Sequence, residues 1–292
     1  MGSDLIMESP EKSNCHQSLK EHQLACKQQL QQQLPSMNNK EAECLVKLKE
    51  MVREEKSLKG CCFKDEFLLR FVRSKKCRAK LSLDTLKNYV AVRREKYPTF
   101  FANFCPSSVR HVYESGMVRV LKNRDAYGRQ VFVFRTDKWD PEVADLDDIL
   151  KVFLLYCEEM LNSEETQRAG LVLIRDYESF GLSHMRICPP GQIRKACNMF
   201  VNSFPSRYKA AHVIRNSYLF HILFAMAKPF LSQKLKSRFL VHGYDLDSLH
   251  SHVSPEILPD WLGGKLDDAE AFDTKLEELV FKCENYRSSS NF

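Results

Sequence analysis

No run of roughly twenty consecutive apolar residues occurs in the chain, the length a helix needs to cross a bilayer. The strongest candidate, 218–227, reaches about half of that and contains His221. Also absent are a G-x-G-x-x-G opening a helix, a Walker phosphate loop, a G-x-S-x-G nucleophile turn and an H-E-x-x-H pair. The nearest serine context, Gly181-Leu182-Ser183-His184-Met185, fails at its last position. None of the 11 cysteines forms a C-x-x-C pair, which removes the support for zinc-ribbon and thioredoxin-like readings. Asp145, Asp147 and Asp148 lack the glycine and terminal glutamate of a calcium loop and suit a helix N-terminus instead. His250 and His252 make a local pair without a third ligand, so two exposed polar histidines describe them better than a metal site. No catalytic residue, cofactor or metal is expected, and the chain reads as a binder rather than an enzyme.

Charge excludes a second class. The 44 basic and 38 acidic residues leave a net +6, too small an excess for a polybasic nucleic-acid binder. Any functional positive charge must therefore be gathered on one face. The first fifteen residues hold acids and no apolar stretch, unlike a signal peptide, and scattered cysteines in apolar runs behave as small core residues in a reducing compartment. A cytoplasmic location, with transient membrane association, is expected. The 292 residues allow one large domain or two modest ones, and 19 phenylalanines are enough for a core and a cavity without requiring the second.

Residues 1–37, with the tract KQQLQQQL, are too polar to offset their ordering entropy and are expected to be disordered or loosely helical. Asn38 and Glu41 form a capping pair ahead of Leu45, Leu48 and Val52 at helical spacing. Gly60 breaks that helix; further helices are predicted over 65–74 and 82–96, the last stopped by Pro98. Residues 38–100 thus form a helical module. From there short strands (118–121, 131–134, 171–174, 212–214, 239–241) alternate with helices beginning at Asp145 and covering 193–204 and 218–230. That alternation predicts an α/β domain over 101–270, a mostly parallel sheet covered by helices, followed by a C-terminal helical tail over 271–292. Residues 149–161 are apolar almost all round, which predicts burial on several sides.

Segments spread along the chain resemble the CRAL-TRIO family of lipid carriers. They are DEFLLRFVRSKKC (65–77), NRDAYGRQV (123–131), EETQRAGLVLIRD (164–176), NSFPSRYKAAHVI (202–214), KPFLSQKLKSRFLVHG (228–243) and ILPDWLGGKL (257–266). They fall in the family order over residues 45–270, and the chain is most similar to the subgroup of tocopherol and retinaldehyde carriers. The resemblance implies a lipid cavity closed by a mobile lid helix, one hydrophobic small molecule as partner, and exchange at membranes bearing phosphatidylinositol phosphates. The alternative is a phosphoinositide-sensing adaptor with no cargo, using the Gln-rich N-terminus.

Carried over residue by residue, the resemblance implies a pocket of Leu150, Phe153, Leu154, Cys157, Leu171, Leu173, Phe200, Tyr208 and Ala211, with Phe220 and Leu223 from the lid. The residues alone leave open that these are plain core. Around the lid, apolar side chains circle the helix, so that some face ligand, lipid or the sheet, and Pro229 ends it at a natural hinge. Arg207, Lys209, Lys234, Lys236 and Arg238 match a phosphoinositide groove, the other reading being a solvated charged face. Arg175 departs from the pattern, standing where the tocopherol carrier is aromatic. It shares a strand face with Leu171 and Leu173, and a guanidinium there either pairs with a carboxylate such as Glu158 or Glu178 or binds a polar ligand head.

Overall fold

The computed structural model describes residues 37–201 and 203–281. They form two compact units dividing between Leu83 and Asp84. The segment expected to be disordered or loosely helical, apart from Met37, and the end of the C-terminal tail lie outside the described residues.

In the first unit, α1 (Asn39–Glu54) opens with the reciprocal cap that the sequence predicts. Asn38 Oδ1 accepts from the Glu41 amide at 3.0 Å, and the Glu41 carboxylate accepts from the Asn38 amide at 3.3 Å. Gly60, at φ +82°, lies past its end. Helix α2 (Asp65–Ser74) buries Phe67, Leu68, Phe71 and Val72. It is tied to α1 by Lys49–Asp65 at 2.8 Å and by the buried pair Arg73–Glu41 at 3.3 Å. The division between the units falls inside α3 (Ala79–Ala91). The predicted helix 82–96 is thus shifted: α-helix gives way to a π turn over Val92–Lys96, and Pro98 opens the next short helix, where its missing N–H costs nothing.

The second unit is built on five strands, β1 (Val118–Val120), β2 (Gln130–Arg135), β3 (Leu171–Asp176), β4 (Tyr208–Ile214) and β5 (Phe239–Gly243), in that spatial order. Only β1 and β2 are antiparallel; β2 to β5 run parallel. Helices α4 (Leu146–Met160), α5 (Pro190–Phe200) and α6 (Tyr218–Ala227) make the crossovers. Asp145 caps α4, accepting from the Asp148 amide at 2.9 Å. Helix α5 starts earlier than predicted, with Pro190 in its first turn, and ends earlier, where the Ser203 hydroxyl takes the carbonyls of Asn198 and Met199, each at 2.6 Å.

Strand alternation sorts the sheet into two faces. Val131, Val133, Val172, Ile174 and Ile214 point to a closed core completed by Leu249, Val253, Leu258, Leu262 and Phe272. Phe132, Phe134, Leu173 and Val213 point the other way, toward α4, α5 and α6. At the entry to β3, Gly170 adopts φ +93°, and a Cβ there would stand 2.3 Å from the Arg207 carbonyl oxygen. Only glycine lets β3 start this close to β4. Among the described residues no helix is long and apolar enough to cross a membrane. The last described helix, α7 (Thr274–Phe281), stacks Phe281 on Tyr113, ring centroids 4.4 Å apart, and edge-on to Tyr156 of α4.

Candidate functional site

The second face of the sheet is not filled. A cavity of about 250 Å³ lies between it and the three crossover helices, sized for a small apolar molecule rather than for water alone. Each helix turns one stripe at i, i+3, i+4, i+7 toward it: Leu146, Ile149, Leu150 and Phe153 from α4; Ile193, Ala196, Cys197 and Phe200 from α5; Phe220, Leu223, Phe224 and Ala227 from α6. The sheet supplies Phe134, Leu173, Arg175, Ala211 and Phe239. Aromatic rings build much of the wall. Phe153 lies 5.3 Å from Phe134 and 4.9 Å from Phe200, Tyr177 lies 4.8 Å from Phe220, and Phe224 lies 4.7 Å from Phe239.

Of the expected pocket residues, Leu150, Phe153, Leu173, Arg175, Phe200, Tyr208, Ala211, Phe220 and Leu223 line this space. Leu154, Cys157 and Leu171 do not: they are about 1% exposed or less and belong to closed packing. Leu154 turns away from the stripe of α4, Cys157 lies one turn beyond Phe153, and Leu171 stands at the start of β3, past the end of the cavity. Trp139, Tyr177, Phe180, Leu231 and Leu235 also line the cavity and were missed. Tyr177 and Phe180 follow β3 in a loop, and no periodicity marks them. Ile193, Ala196 and Cys197 were legible as the stripe ending at Phe200.

Helix α6 is apolar on both sides, as its composition predicts. Phe220, Leu223, Phe224 and Ala227 face the cavity, whereas Tyr218 is 77% exposed and Ile222 38%. The α-helix ends at Ala227, and Pro229 sits within a short 3-10 turn, Lys228–Phe230.

The thiols and phenols along the wall are held neutral. Burial pushes the Cys188 and Cys197 thiols up to about 11. Burial also raises the Tyr177 phenol and takes that of Tyr208 well above its ordinary value. The Tyr208 hydroxyl neighbours the Cys157 thiol and the Ser206 hydroxyl without a well-formed hydrogen bond to either.

Arg175 has none of the carboxylate partners expected for it. Glu158 instead accepts from Tyr89 and Arg93, each at 2.7 Å, and Glu178 pairs with Arg215 at 3.2 Å. The Arg175 guanidinium lies over the rings of Phe134 at 4.7 Å and Tyr177 at 5.6 Å, and its buried Nε has no hydrogen-bond partner.

Arg207 and Lys209 stand at the entry to β4, Lys234 and Lys236 on a short helix, Gln233–Lys236, and Arg238 just before β5. Arg207 and Arg238 lie close enough that, after burial, the second guanidinium is what depresses the first. They are held by backbone carbonyls, Arg207 by that of Arg168 and Arg238 by that of Tyr208. Among the described residues Arg207, Lys234, Lys236 and Arg238 meet no carboxylate. Lys234 and Lys236 flank Leu235, and Arg238 itself lines the cavity, so the basic cluster adjoins the cavity wall.

Against known proteins, a family described as CRAL/TRIO domain matches residues 114–264. The chain is 36% identical over 217 residues to alpha-tocopherol transfer protein-like of Mus musculus and 37% identical over the same length to that of Homo sapiens. Each match covers 74% of this chain and 63% of the relative. Clavesin-2 of Rattus norvegicus is 32% identical over 203 residues, 69% of this chain and 62% of that protein. The chain thus spans less than two thirds of the length of these relatives. The solved structure of Sfh5 aligns with 84% of this chain and 96% of its own at a TM-score of 0.49 and 13% identity, too slight a likeness to argue from.

Proposed function

Because this chain belongs to the CRAL/TRIO family, we propose that it is a carrier that encloses one lipid and exchanges it at membranes, not a catalyst. One observation carries the reading: three helices turn apolar stripes onto an apolar sheet face and leave a space of about 250 Å³ between them. Well-packed interiors leave few voids larger than a water molecule, so a space of this size has an occupant to explain it.

The energetics favour carriage. Each buried methylene contributes about 0.8 kcal/mol, so a tail of about ten contributes roughly 8 kcal/mol before association costs. Escape into water is correspondingly slow, and release requires an apolar acceptor at the opening. Helix α6, with cavity on one side and exposed Tyr218 and Ile222 on the other, is suited to move from covering the cargo to contacting a bilayer. The basic cluster beside it favours an anionic leaflet, and phosphatidylinositol phosphates match its concentrated charge. Protonated thiols and phenols along the wall offer neither nucleophile nor general base near neutral pH, and the function requires no cofactor. A tocopherol-like, retinoid or similar isoprenoid cargo suits the aromatic wall. The site of action is the cytoplasmic face of membranes.

Native mass spectrometry with lipid extraction, on the full chain purified from a eukaryotic host, tests this directly. One lipid per chain is the expected result. An empty protein that still binds phosphoinositide vesicles would replace the carrier with a phosphoinositide-sensing adaptor.

A further inference from the structure

The cavity wall carries charge of one sign only. Among the described residues three arginines line it (Arg135, Arg175 and Arg238) and no aspartate or glutamate does. Two of them are accounted for. Arg135 bonds Asp137 at 2.8 Å and stacks on Trp261 at 4.2 Å, and Arg238 donates to the Tyr208 carbonyl. Among the described residues Arg175 meets no carboxylate: it has the faces of Phe134 and Tyr177 and the neighbouring Tyr177 hydroxyl, and its buried Nε has no partner.

The nearby acids are committed elsewhere. Asp176, next in the chain, points to the opposite sheet face and holds Arg215 at 2.5 Å, and Glu178 holds the same guanidinium. The thiol of Cys188 and the phenol of Tyr177 feel the charge of Arg175, yet burial outweighs that pull and keeps both protonated. Neither becomes its counter-ion. A guanidinium does not lose its proton at any physiological pH. A wholly apolar cargo would leave this cation against hydrocarbon with no counter-charge.

We propose that the cargo of this cavity is a lipid carboxylate, its head group seated on Arg175 and its hydrocarbon running among the aromatic and aliphatic stripes of α4, α5 and α6. The inference rests on the carrier reading and narrows it from lipids in general to acids. A carboxylate presents two acceptor oxygens to the planar fork of a guanidinium and supplies a negative charge opposite Arg175. The stack on Phe134 and Tyr177 holds the guanidinium in place at the cavity wall. Arg238, the other wall cation that meets no carboxylate, already donates to the Tyr208 carbonyl, so a single carboxylate matches Arg175, whereas a phosphate monoester would bring up to two charges.

The test compares chain-matched probes on the full-length protein: oleic acid against oleyl alcohol, and retinoic acid against retinol. Displacement of a fluorescent lipid reads affinity, with oleyl phosphate as a further probe. In at least one pair the acid is expected to bind tenfold or more tightly than its alcohol. Arg175→Met should erase that preference while leaving alcohol affinity within a fewfold of wild type, and Arg175→Lys should keep part of it. Retained alcohol binding shows that the Met variant is folded. Equal affinity of acid and alcohol in both pairs, an unchanged preference in Arg175→Met, or tighter binding of the phosphate would overturn the assignment while the carrier reading stands. Failure of every probe, together with lipid-free protein in native mass spectrometry, would overturn both.

Discussion

Arg93 and Glu158 form a buried ion pair, nitrogen to oxygen 2.7 Å, with side chains 7% and 1% exposed. The same carboxylate oxygen accepts from the Tyr89 hydroxyl at 2.7 Å, and the Arg93 guanidinium lies 3.4 Å from the centroid of the Tyr89 ring. The pair fixes the segment after α3 to the side of α4 away from the cavity. Removing the carboxylate by Glu158→Ala would leave an uncompensated buried cation, and a loss of roughly 3–5 kcal/mol is expected. Urea unfolding measures it; a loss under about 1 kcal/mol would show that water or another acceptor relieves Arg93.

The pair also shows where sequence reasoning ends. The all-round apolar character of 149–161 correctly predicts burial on several sides, because hydrophobicity reports removal from water. It cannot say which buried side faces packed atoms and which faces the cavity, and the family resemblance, which implies Leu154 and Cys157 beside Leu150 and Phe153, does not separate them either. Caps were readable at Asn38 and Asp145 because capping is local chemistry within three residues. Alternation placed Arg175 on the face of Leu173, but its partners depended on tertiary neighbours, and Glu158 had already met Arg93. The family match over 114–264 was readable from dispersed segments, whereas Trp139, Tyr177 and Phe180 enter the cavity from irregular segments that carry no period.

Filling the space should abolish carriage without harming the fold. Ala211, on β4, is buried and lines the cavity. Ala211→Leu adds three carbons on the cavity side, where overpacking strain is small compared with a closed core. Co-purifying lipid should fall several-fold with the unfolding midpoint unchanged or raised. A variant that loses stability by about 1–3 kcal/mol instead would show that Ala211 meets packed atoms.

On the closed side of the sheet, His212 is 1% exposed, and burial, then His242 and His252, lower its pKa to about 3. Its Nδ1 lies 2.9 Å from His242 Nε2. The folded value is below the unfolded value of about 6.5, so the unfolded state binds the extra proton between those limits. Stability is therefore full above about pH 6.5 and falls as pH drops toward 3, by about 1.4 kcal/mol per unit at the steepest. His212→Leu removes this titration. Urea midpoints at pH 7, 6 and 5 should decline less steeply in the variant; parallel declines would assign the acid sensitivity to other groups.

Lys234 and Lys236 flank the cavity-lining Leu235 and meet no carboxylate among the described residues. Each basic residue near an anionic leaflet contributes about 1 kcal/mol, so Lys234→Ala with Lys236→Ala should weaken binding to phosphoinositide vesicles by about 2 kcal/mol, roughly thirtyfold. The two side chains lie outside the cavity, so lipid co-purifying with the variant should be unchanged while its delivery to anionic acceptor vesicles slows. Raising the salt concentration should narrow the gap, because a screened surface charge loses its reach within about 10 Å at 0.1 M ionic strength. A double variant that transfers lipid at the wild-type rate, with the same salt dependence, would mean that α6 engages the bilayer through Tyr218 and Ile222 alone.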